Sequence, residues 1–338
     1  MFPSPQATCF GPLLAPILSG YCSSTIGWRW TFYIAAIIGA LTLAASLFLP
    51  ETFGPILLAR RAARLSRAAR RFPDADFLHL RAAENAVNSL EVILREFQAP
   101  VDLSPHPGVF ARAVADSSAH ERVAEVRAVG STAERAAPGA GPLGLEDQSA
   151  DLIVNLLGLH WANDLPGALS QIRRALRPDG LFVASLFGAA TLKELRGVLT
   201  EAELEVNGGA QARFSPFADG FDGAALLQRA GFALPVTDVD RVTVRYADPF
   251  ALMRDLRAMG ETNVLAGPIR PLSRAVLARA AQLYAERHAE ADGRIPATFE
   301  MVHLAGWAPH ESQQKPARRG SAKTRLADAL GVREQTGE

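Results

Sequence analysis

The hydrophobic pattern in the middle of the chain predicts a strand, a helix and a second strand. Residues 151–157 form a short apolar run without helical periodicity, which is typical of a buried strand. Asn163 and Asp164 are helix-capping residues, and the turn sequence at 178–180 predicts the end of that helix. Residues 181–186 are a second apolar run. Because buried strands joined by a helix form a parallel crossover, the predicted class is α/β with a mostly parallel sheet.

Periodicity predicts further elements on both sides of this unit. The expected strands are 236–246 and 298–307, and the expected helices are 76–97, 222–230, 248–260 and 272–286. Together they predict one domain over residues 73–308. The polar, basic residues 309–338 are predicted to be a flexible tail.

The first 72 residues have a different character. Residues 30–49 carry no charge and are long enough to cross a bilayer, and a second uncharged run covers 9–27. Several arginines follow the span and predict that its far end faces the cytosol or the mitochondrial matrix. One or two transmembrane helices are therefore expected ahead of the α/β domain.

Charge and cysteine content exclude several classes of protein. The 35 Lys and Arg residues balance the 35 Asp and Glu residues, so no net charge indicates a nucleic acid partner. The two cysteines, Cys9 and Cys22, lie outside the α/β part. The seven histidines show no metal-binding spacing, so no metal site is predicted.

The N-terminal segment resembles part of a fungal drug transporter. GPLLAP at 11–16, WRWTF at 28–32 and PET at 50–52 are similar to two consecutive helices of the major facilitator superfamily. A transporter needs many more helices than two, so transport by this chain remains a remote alternative. Two explanations stay open, namely a membrane anchor acquired by gene fusion or an incorrectly joined gene.

The remaining sequence resembles class I S-adenosylmethionine-dependent methyltransferases. The segments ADLIVNLLGLHWANDLPGAL, SLFGAATLKELR, LMRDLRAMGETN and PATFEMVHLAGW are most similar to the mitochondrial complex I assembly factor five family. This resemblance implies a methyltransferase-like (Rossmann-like) fold, S-adenosylmethionine as cofactor and a complex I subunit as protein substrate. It also implies a location on the matrix face of the inner mitochondrial membrane, with a cytosolic domain on another membrane as the alternative.

The family's glycine-rich turn should follow the strand at 100–103. The resemblance implies cofactor contacts at the strand ends: Asp102, Ser104, His106, Gly108 and Leu157. Only Gly108 matches a glycine of the family pattern, and Pro105 and Pro107 lack backbone N–H donors. This departure weakens the expectation that the cofactor binds.

A second cofactor determinant is also missing. The strand at 122–129 ends without the acidic residue that would bond the ribose, and residues 131–145 are too few for a complete helix and strand. One crossover unit is therefore predicted to be truncated or rewritten.

The candidate substrate residues follow other elements. His160 and Trp161 come directly after the strand at 151–157 and are catalytic candidates, while the alternative is that both serve packing and backbone bonding. A substrate loop is implied in two segments: Phe214, Ser215 and Pro216, then Glu261 and Asn263. For these the alternative is an ordinary connector or a solvated turn.

Two functional hypotheses follow. In the first, the domain is an enzyme that modifies a protein substrate, by methyl transfer or by the arginine hydroxylation linked to the family. In the second, it is a catalytically inactive assembly module that has lost the cofactor. The sequence offers no iron-binding triad, so hydroxylation rests on the resemblance alone.

Overall fold

The computed structural model describes residues 53–129, 145–162, 164–214, 222–263 and 271–314. Within these ranges no helix is both long and apolar enough to cross a bilayer. The predicted span at 30–49 lies outside the described residues, as do most of the predicted tail and the segment at 130–144. The compact unit that contains the sheet begins at Gly54, whereas the sequence predicted a boundary at 72.

The described residues form a six-stranded sheet flanked by helices. The strands are β1 Pro100–Asp102, β2 Arg127–Ala128, β3 Ala150–Leu156, β4 Leu176–Phe187, β5 Ala233–Tyr246 and β6 Ile295–Trp307. The helices are α1 Phe53–Ala68, α2 Phe77–Glu91, α3 Val109–Ala115, α4 Leu165–Ala175, α5 Lys193–Asn207, α6 Asp222–Arg229, α7 Pro249–Ala258 and α8 Arg274–His288. The spatial order is β2-β1-β3-β4-β6-β5. Strands β1 to β4 pair in parallel and β6 is antiparallel to both neighbours, which confirms the predicted α/β class.

Apolar residues on both faces of the central strands explain why helices cover the sheet on two sides. In β3, Leu152 and Val154 belong to a core shared with α2, α5 and α8, while Ile153 belongs to a core shared with α4 and α6. All seven residues of β3 are buried. Parallel strands buried on both faces have this continuous apolar character rather than alternation.

The central crossover forms largely as predicted. The Asp164 carboxylate caps α4 by accepting from the Gly167 backbone N–H at 2.9 Å. The predicted end of the helix at 178–180 was wrong, because α4 ends at Ala175 and β4 begins at Leu176. Asp179 takes a positive φ of 61° inside this strand.

Two other boundaries also differ from the sequence prediction. The helix predicted over 76–97 ends at Glu91, and Leu94 is 89% exposed. Phe97 instead forms a parallel bridge with Val123, a contact that local periodicity does not encode. The strand predicted over 122–129 is reduced to the two residues of β2.

Strand β5 lies at one edge of the sheet, as its alternating pattern suggested. Its side chains alternate between partly buried and exposed positions, and Val236 is 60% exposed. Among the described strands it pairs with β6 alone. The prediction of a half-exposed strand at 236–246 is confirmed.

The strand order reverses between β1 and β3, although the two strands are parallel. From β1 the chain crosses through α3 to β2 on one side, and from β3 it crosses through α4 to β4 on the other. In open α/β sheets, ligands bind in the crevice outside the carboxyl ends of the strands at such a switch point. The segments after Asp102 and Leu156 are therefore the place to look for a site.

Asp151 fixes the amino end of this strand pair. Its carboxylate accepts hydrogen bonds from the backbone N–H groups of Gln98 at 2.7 Å and Ala99 at 2.9 Å. The side chain is buried, so these bonds hold the segment entering β1 against the start of β3. Asp151 thus has a structural role.

We expect Asp151→Ala to lower the free energy of unfolding by about 1–3 kcal/mol, because two buried N–H donors lose their acceptor. Urea denaturation measures the change. Asp147→Ala is the matched control, because Asp147 is 67% exposed in a surface ion pair with Arg174 and should change stability by less than about 0.5 kcal/mol. Equal losses in the two variants would contradict the role assigned to Asp151.

Candidate functional site

The turn after β1 is bonded to the end of β3. The Ser104 backbone N–H donates to Asp102 Oδ1 at 2.8 Å, and the Ser104 hydroxyl accepts from the Leu156 backbone N–H at 2.8 Å. The Asn155 side-chain amide donates to the Leu103 carbonyl and accepts from the Gly158 N–H. Burial raises the pKa of Asp102, and hydrogen bonds from Ser104 partly oppose that rise.

His106 occupies the centre of this turn. Its ring stacks on Phe72 with centroids 3.6 Å apart, and Nε2 donates to the Met259 carbonyl at 3.0 Å. His79 contacts both rings edge-on at 4.9 Å. Burial lowers the pKa of His106, and burial next to His106 lowers the pKa of His79 to about 3. Both imidazoles are therefore neutral near pH 7.

These residues do not form a cradle for S-adenosylmethionine. A glycine-rich turn leaves space and N–H donors for the methionine end of the cofactor. In this chain His106 stands in the turn with its ring stacked on Phe72, and Pro105 and Pro107 have no N–H to offer. Gly108 alone adopts the left-handed conformation in this turn, with φ of 93°.

The described residues do not supply the second cofactor determinant either. Strand β2 ends at Ala128, and Val129 follows it without an acidic side chain. Residues 130–144, where a further determinant and the predicted truncated crossover would lie, are outside the described part of the chain. The fit of the cofactor therefore fails on the turn after β1.

A buried carboxylate joins the loop after β3 to the end of α7. Glu261 Oε2 accepts from Trp161 Nε1 at 2.9 Å and from His160 Nε2 at 3.2 Å. Glu261 Oε1 accepts from Arg61 Nη2 at 2.6 Å. The Arg61 guanidinium also donates to the Gly260 carbonyl at 2.5 Å and lies 4.5 Å from the Trp161 ring centroid.

Neighbouring groups keep the Glu261 carboxyl ionised. Burial opposes ionisation, but the Arg61 guanidinium and the hydrogen-bonded His160 outweigh it and hold the pKa of Glu261 well below its usual range. Arg64 extends the same contact by bonding the Thr262 hydroxyl. The result is a buried ion pair between Glu261 and Arg61 at the carboxyl edge of the sheet.

The predicted site residues meet only in part. His160, Trp161 and Glu261 come together through hydrogen bonds. Leu157 is buried with φ of 51° and donates its N–H to the Ser185 carbonyl. A functional role for these residues remains a prediction.

The predicted substrate loop is less closely gathered. The Asn263 side-chain amide donates to the Ala212 carbonyl at 3.2 Å in an exposed position. Phe214 is partly buried against the larger core. Ser215 and Pro216 lie outside the described residues.

The sequence analysis did not identify Arg61 of α1 as a partner of Glu261, or Phe72 in the following segment as a partner of His106. Arg61 was grouped with the arginines that flank the predicted span, yet it shares an inward stripe with Leu65 and Ala68 at helical spacing. An arginine within an otherwise apolar stripe was the available signal. Within the described ranges, no group of three or more His, Cys, Asp or Glu side chains is arranged to hold a metal ion.

Comparison with known families gives a match at the amino-terminal side. The Major Facilitator Superfamily matches residues 7–144. Within that range the described residues include β1 and β2, which belong to the parallel sheet. Those strands are not part of a helical transporter, so the match does not describe the fold of residues 100–128.

Curated relatives match a little over half of the chain. The chain is 44% identical to the mitochondrial arginine-hydroxylase NDUFAF5 of Dictyostelium discoideum over 56% of this chain and 44% of the relative. It is 46% identical to the Mus musculus protein of the same name, over 53% of this chain and 52% of the relative. It is also 38% identical to the malonyl-[acyl-carrier protein] O-methyltransferase of Halorhodospira halophila, over 55% of this chain and 61% of the relative. The chain thus spans about half the length of the curated relatives it matches.

One solved structure illustrates the level of structural similarity. The YcgJ protein of Bacillus subtilis superposes with a TM-score of 0.42 and 14% identity, over 66% of this chain and 97% of that one. The strand order and the pairing directions, rather than this superposition, define the fold.

We expect Glu261→Gln to lower the free energy of unfolding near pH 7 by about 3–5 kcal/mol, because it leaves the buried Arg61 guanidinium without its counter-charge. The pKa of Glu261 is lower in the folded protein than its unfolded value of 4.5. Its carboxylate therefore stabilises the folded protein fully at pH values above 4.5, and this stabilisation is lost as the pH falls towards the folded-state pKa. Stability of the natural chain should therefore fall more steeply below about pH 5 than that of the variant.

Urea unfolding of both proteins at several pH values measures this difference. Glu84→Gln is the control, because Glu84 is exposed on α2 and the exchange should leave the pH dependence unchanged. Parallel pH profiles for the natural chain and Glu261→Gln would show that Glu261 is not a buried anion in the folded protein.

Proposed function

We propose that this chain is a methyltransferase-like protein that acts with a protein substrate in the assembly of mitochondrial respiratory complex I. The identity of 44–46% to proteins named mitochondrial arginine-hydroxylase NDUFAF5 supports the proposal. The observation that carries it is the cluster of Glu261, Trp161 and His160 beside the carboxyl end of β3. That edge is where α/β sheets of this topology bind ligands.

The proposed location follows from the same relatives, whose names include the mitochondrion. The matrix face of the inner membrane is the finer proposal, with residues 30–49 as the membrane segment. In the alternative, the chain lies on another membrane with its domain in the cytosol. The partner is a complex I subunit, and a transporter function is not proposed.

The geometry of the turn favours the cofactor-free mode of action over the S-adenosylmethionine-dependent one. The His106 ring stacked on Phe72 and the two flanking prolines, which lack backbone N–H donors, support this mode. Without the cofactor, the domain would act by binding a protein segment, which is the task of an assembly factor. An intact glycine turn would instead have supported methyl transfer to the bound protein.

We expect no saturable binding of S-adenosylmethionine by the full chain at ligand concentrations up to about 1 mM, where the free energy of binding would be only about −4 kcal/mol. Isothermal titration calorimetry measures it. The variant with Ser104→Gly, Pro105→Cys, His106→Gly and Pro107→Gly restores space and two N–H donors and should bind more tightly. His120→Gly makes the same exchange at an exposed histidine and should not bind.

Saturable micromolar binding by the natural chain would overturn the cofactor-free mode and favour the enzyme. Binding restored only in the four-residue variant supports the assembly module. If the variant and the natural chain both fail to bind while both are folded by circular dichroism, the His106 ring and the two prolines are not what prevents binding, and the structural explanation based on the turn is wrong.

A role in complex I assembly can be tested in cells. We expect this chain to restore assembled complex I, detected on native gels, in Dictyostelium discoideum cells that lack their NDUFAF5 protein. Trp161→Phe keeps an aromatic ring but removes the indole N–H that bonds Glu261, and it should restore less complex I at equal protein level. Phe250→Leu is the control at a half-exposed aromatic.

Full restoration by Trp161→Phe would contradict the role of the cluster. No restoration by the natural chain, expressed in mitochondria at the level of the protein it replaces, would contradict the proposed function.

A further inference from the structure

Helix α1 inserts a charged side chain where its neighbours are apolar. The residues of α1 that face the domain include Arg61, Leu65 and Ala68, and the Arg61 side chain is only 2% exposed. An arginine is almost never this deeply buried unless the surrounding groups satisfy it. The surroundings of Arg61 therefore reveal what kind of group they are built to receive.

Three groups surround the guanidinium, and each suits that chemistry. Glu261 Oε1 supplies the counter-charge at 2.6 Å, the Gly260 carbonyl accepts a second N–H at 2.5 Å, and the Trp161 ring centroid lies 4.5 Å from the guanidinium carbon. A guanidinium is planar, so it can bond a carboxylate and a carbonyl while it stacks on an aromatic ring. This combination of contacts favours arginine over lysine.

The receiving groups also have partners outside α1. Trp161 Nε1 and His160 Nε2 orient Glu261 through its other oxygen. Gly260 has φ of 78°, and backbone bonds at the end of α7 fix the peptides on both sides of it. The pocket is thus formed by the loop after β3 and the end of α7, whereas Arg61 arrives from a helix 200 residues earlier in the chain.

Arg61 itself fits the pocket imperfectly. Its Nε is buried and has no hydrogen-bond partner among the described residues. A buried donor without a partner costs about 1–3 kcal/mol.

We infer that Glu261, Trp161 and the Gly260 carbonyl form a guanidinium-binding pocket that α1 fills with Arg61, so that an arginine side chain of a protein partner must displace Arg61 to bind. This inference rests on the proposed function only in taking a protein arginine as the competing ligand. Helix α1 thereby keeps the pocket closed until such a partner is present.

The test uses N-acetyl-arginine methylamide as the probe and the full chain with Arg61→Ala. The expected result is saturable binding to Arg61→Ala by calorimetry, at least about tenfold tighter than to the natural chain and about tenfold tighter than N-acetyl-lysine methylamide binds the same variant. Adding Glu261→Gln to Arg61→Ala should abolish the binding. Arg67→Ala is the matched control, because Arg67 is exposed and bonds the Ala63 carbonyl of its own helix, and it should behave as the natural chain.

A folded Arg61→Ala variant that binds the arginine probe no better than the natural chain, or no better than the lysine probe, would overturn the inference. If Arg61→Ala is unfolded, thermal unfolding is followed with added ethylguanidinium or ethylammonium. Recovery of a cooperative transition with ethylguanidinium alone supports the pocket, because a ligand that binds only the folded state stabilises it. Recovery with neither, or with both equally, overturns it.

The probe is a small molecule, so the experiment involves neither complex I nor S-adenosylmethionine. Binding of the probe by Arg61→Ala in a chain that restores no complex I would leave the pocket standing and remove the proposed function. If the probe does not bind, the pocket inference fails, and an assembly role would have to use other surfaces of the domain.

Discussion

The buried carboxylate of Glu261 is shared by three segments that are far apart in the chain, and the arrangement of the candidate site depends on it. It accepts from Trp161 and His160 in the loop after β3 and from Arg61 in α1. Taking a carboxylate and a guanidinium out of water costs several kcal/mol for each ion, and only close pairing with further hydrogen bonds compensates. The position of each segment is therefore constrained by the needs of the other two.

The same short stretch of backbone also receives the turn after β1. Residues 259 to 261 present a carbonyl to His106, a carbonyl to Arg61 and a carboxylate to the loop after β3. The end of α7 is thus bonded to the segments that follow β1 and β3, the two strands at the switch point of the sheet. A methyltransferase has an open glycine turn at this point, whereas in this chain His106 packs on Phe72 and bonds the Met259 carbonyl.

Local signals explain what the sequence could predict. The strand–helix–strand unit around α4 was found because its apolar runs and its Asp164 cap act within a few residues. The end of α2 was missed because Phe97 leaves the helix to pair with Val123, which is a long-range contact. Tertiary pairing overrides local periodicity at such positions.

In the candidate site, too, local signals were predictable from the sequence and long-range contacts were not. His160, Trp161 and Glu261 were each identified because they follow strands or helices at the expected edge, although no pattern linked them to one another. Arg61 was assigned to the flank of a membrane span, since a run of arginines after an apolar segment usually has that role. Only the folded structure shows that one of these arginines is buried.

The distance along the chain between Arg61 and Glu261 has a consequence for the order of events during synthesis. The two residues are 200 positions apart. At about 5–20 residues per second, roughly 10–40 s separate the appearance of the arginine from that of its carboxylate partner. During this interval α1 has no buried anion to bind, and its arginine-rich surface is available to targeting factors, chaperones or anionic lipid before the domain closes over it.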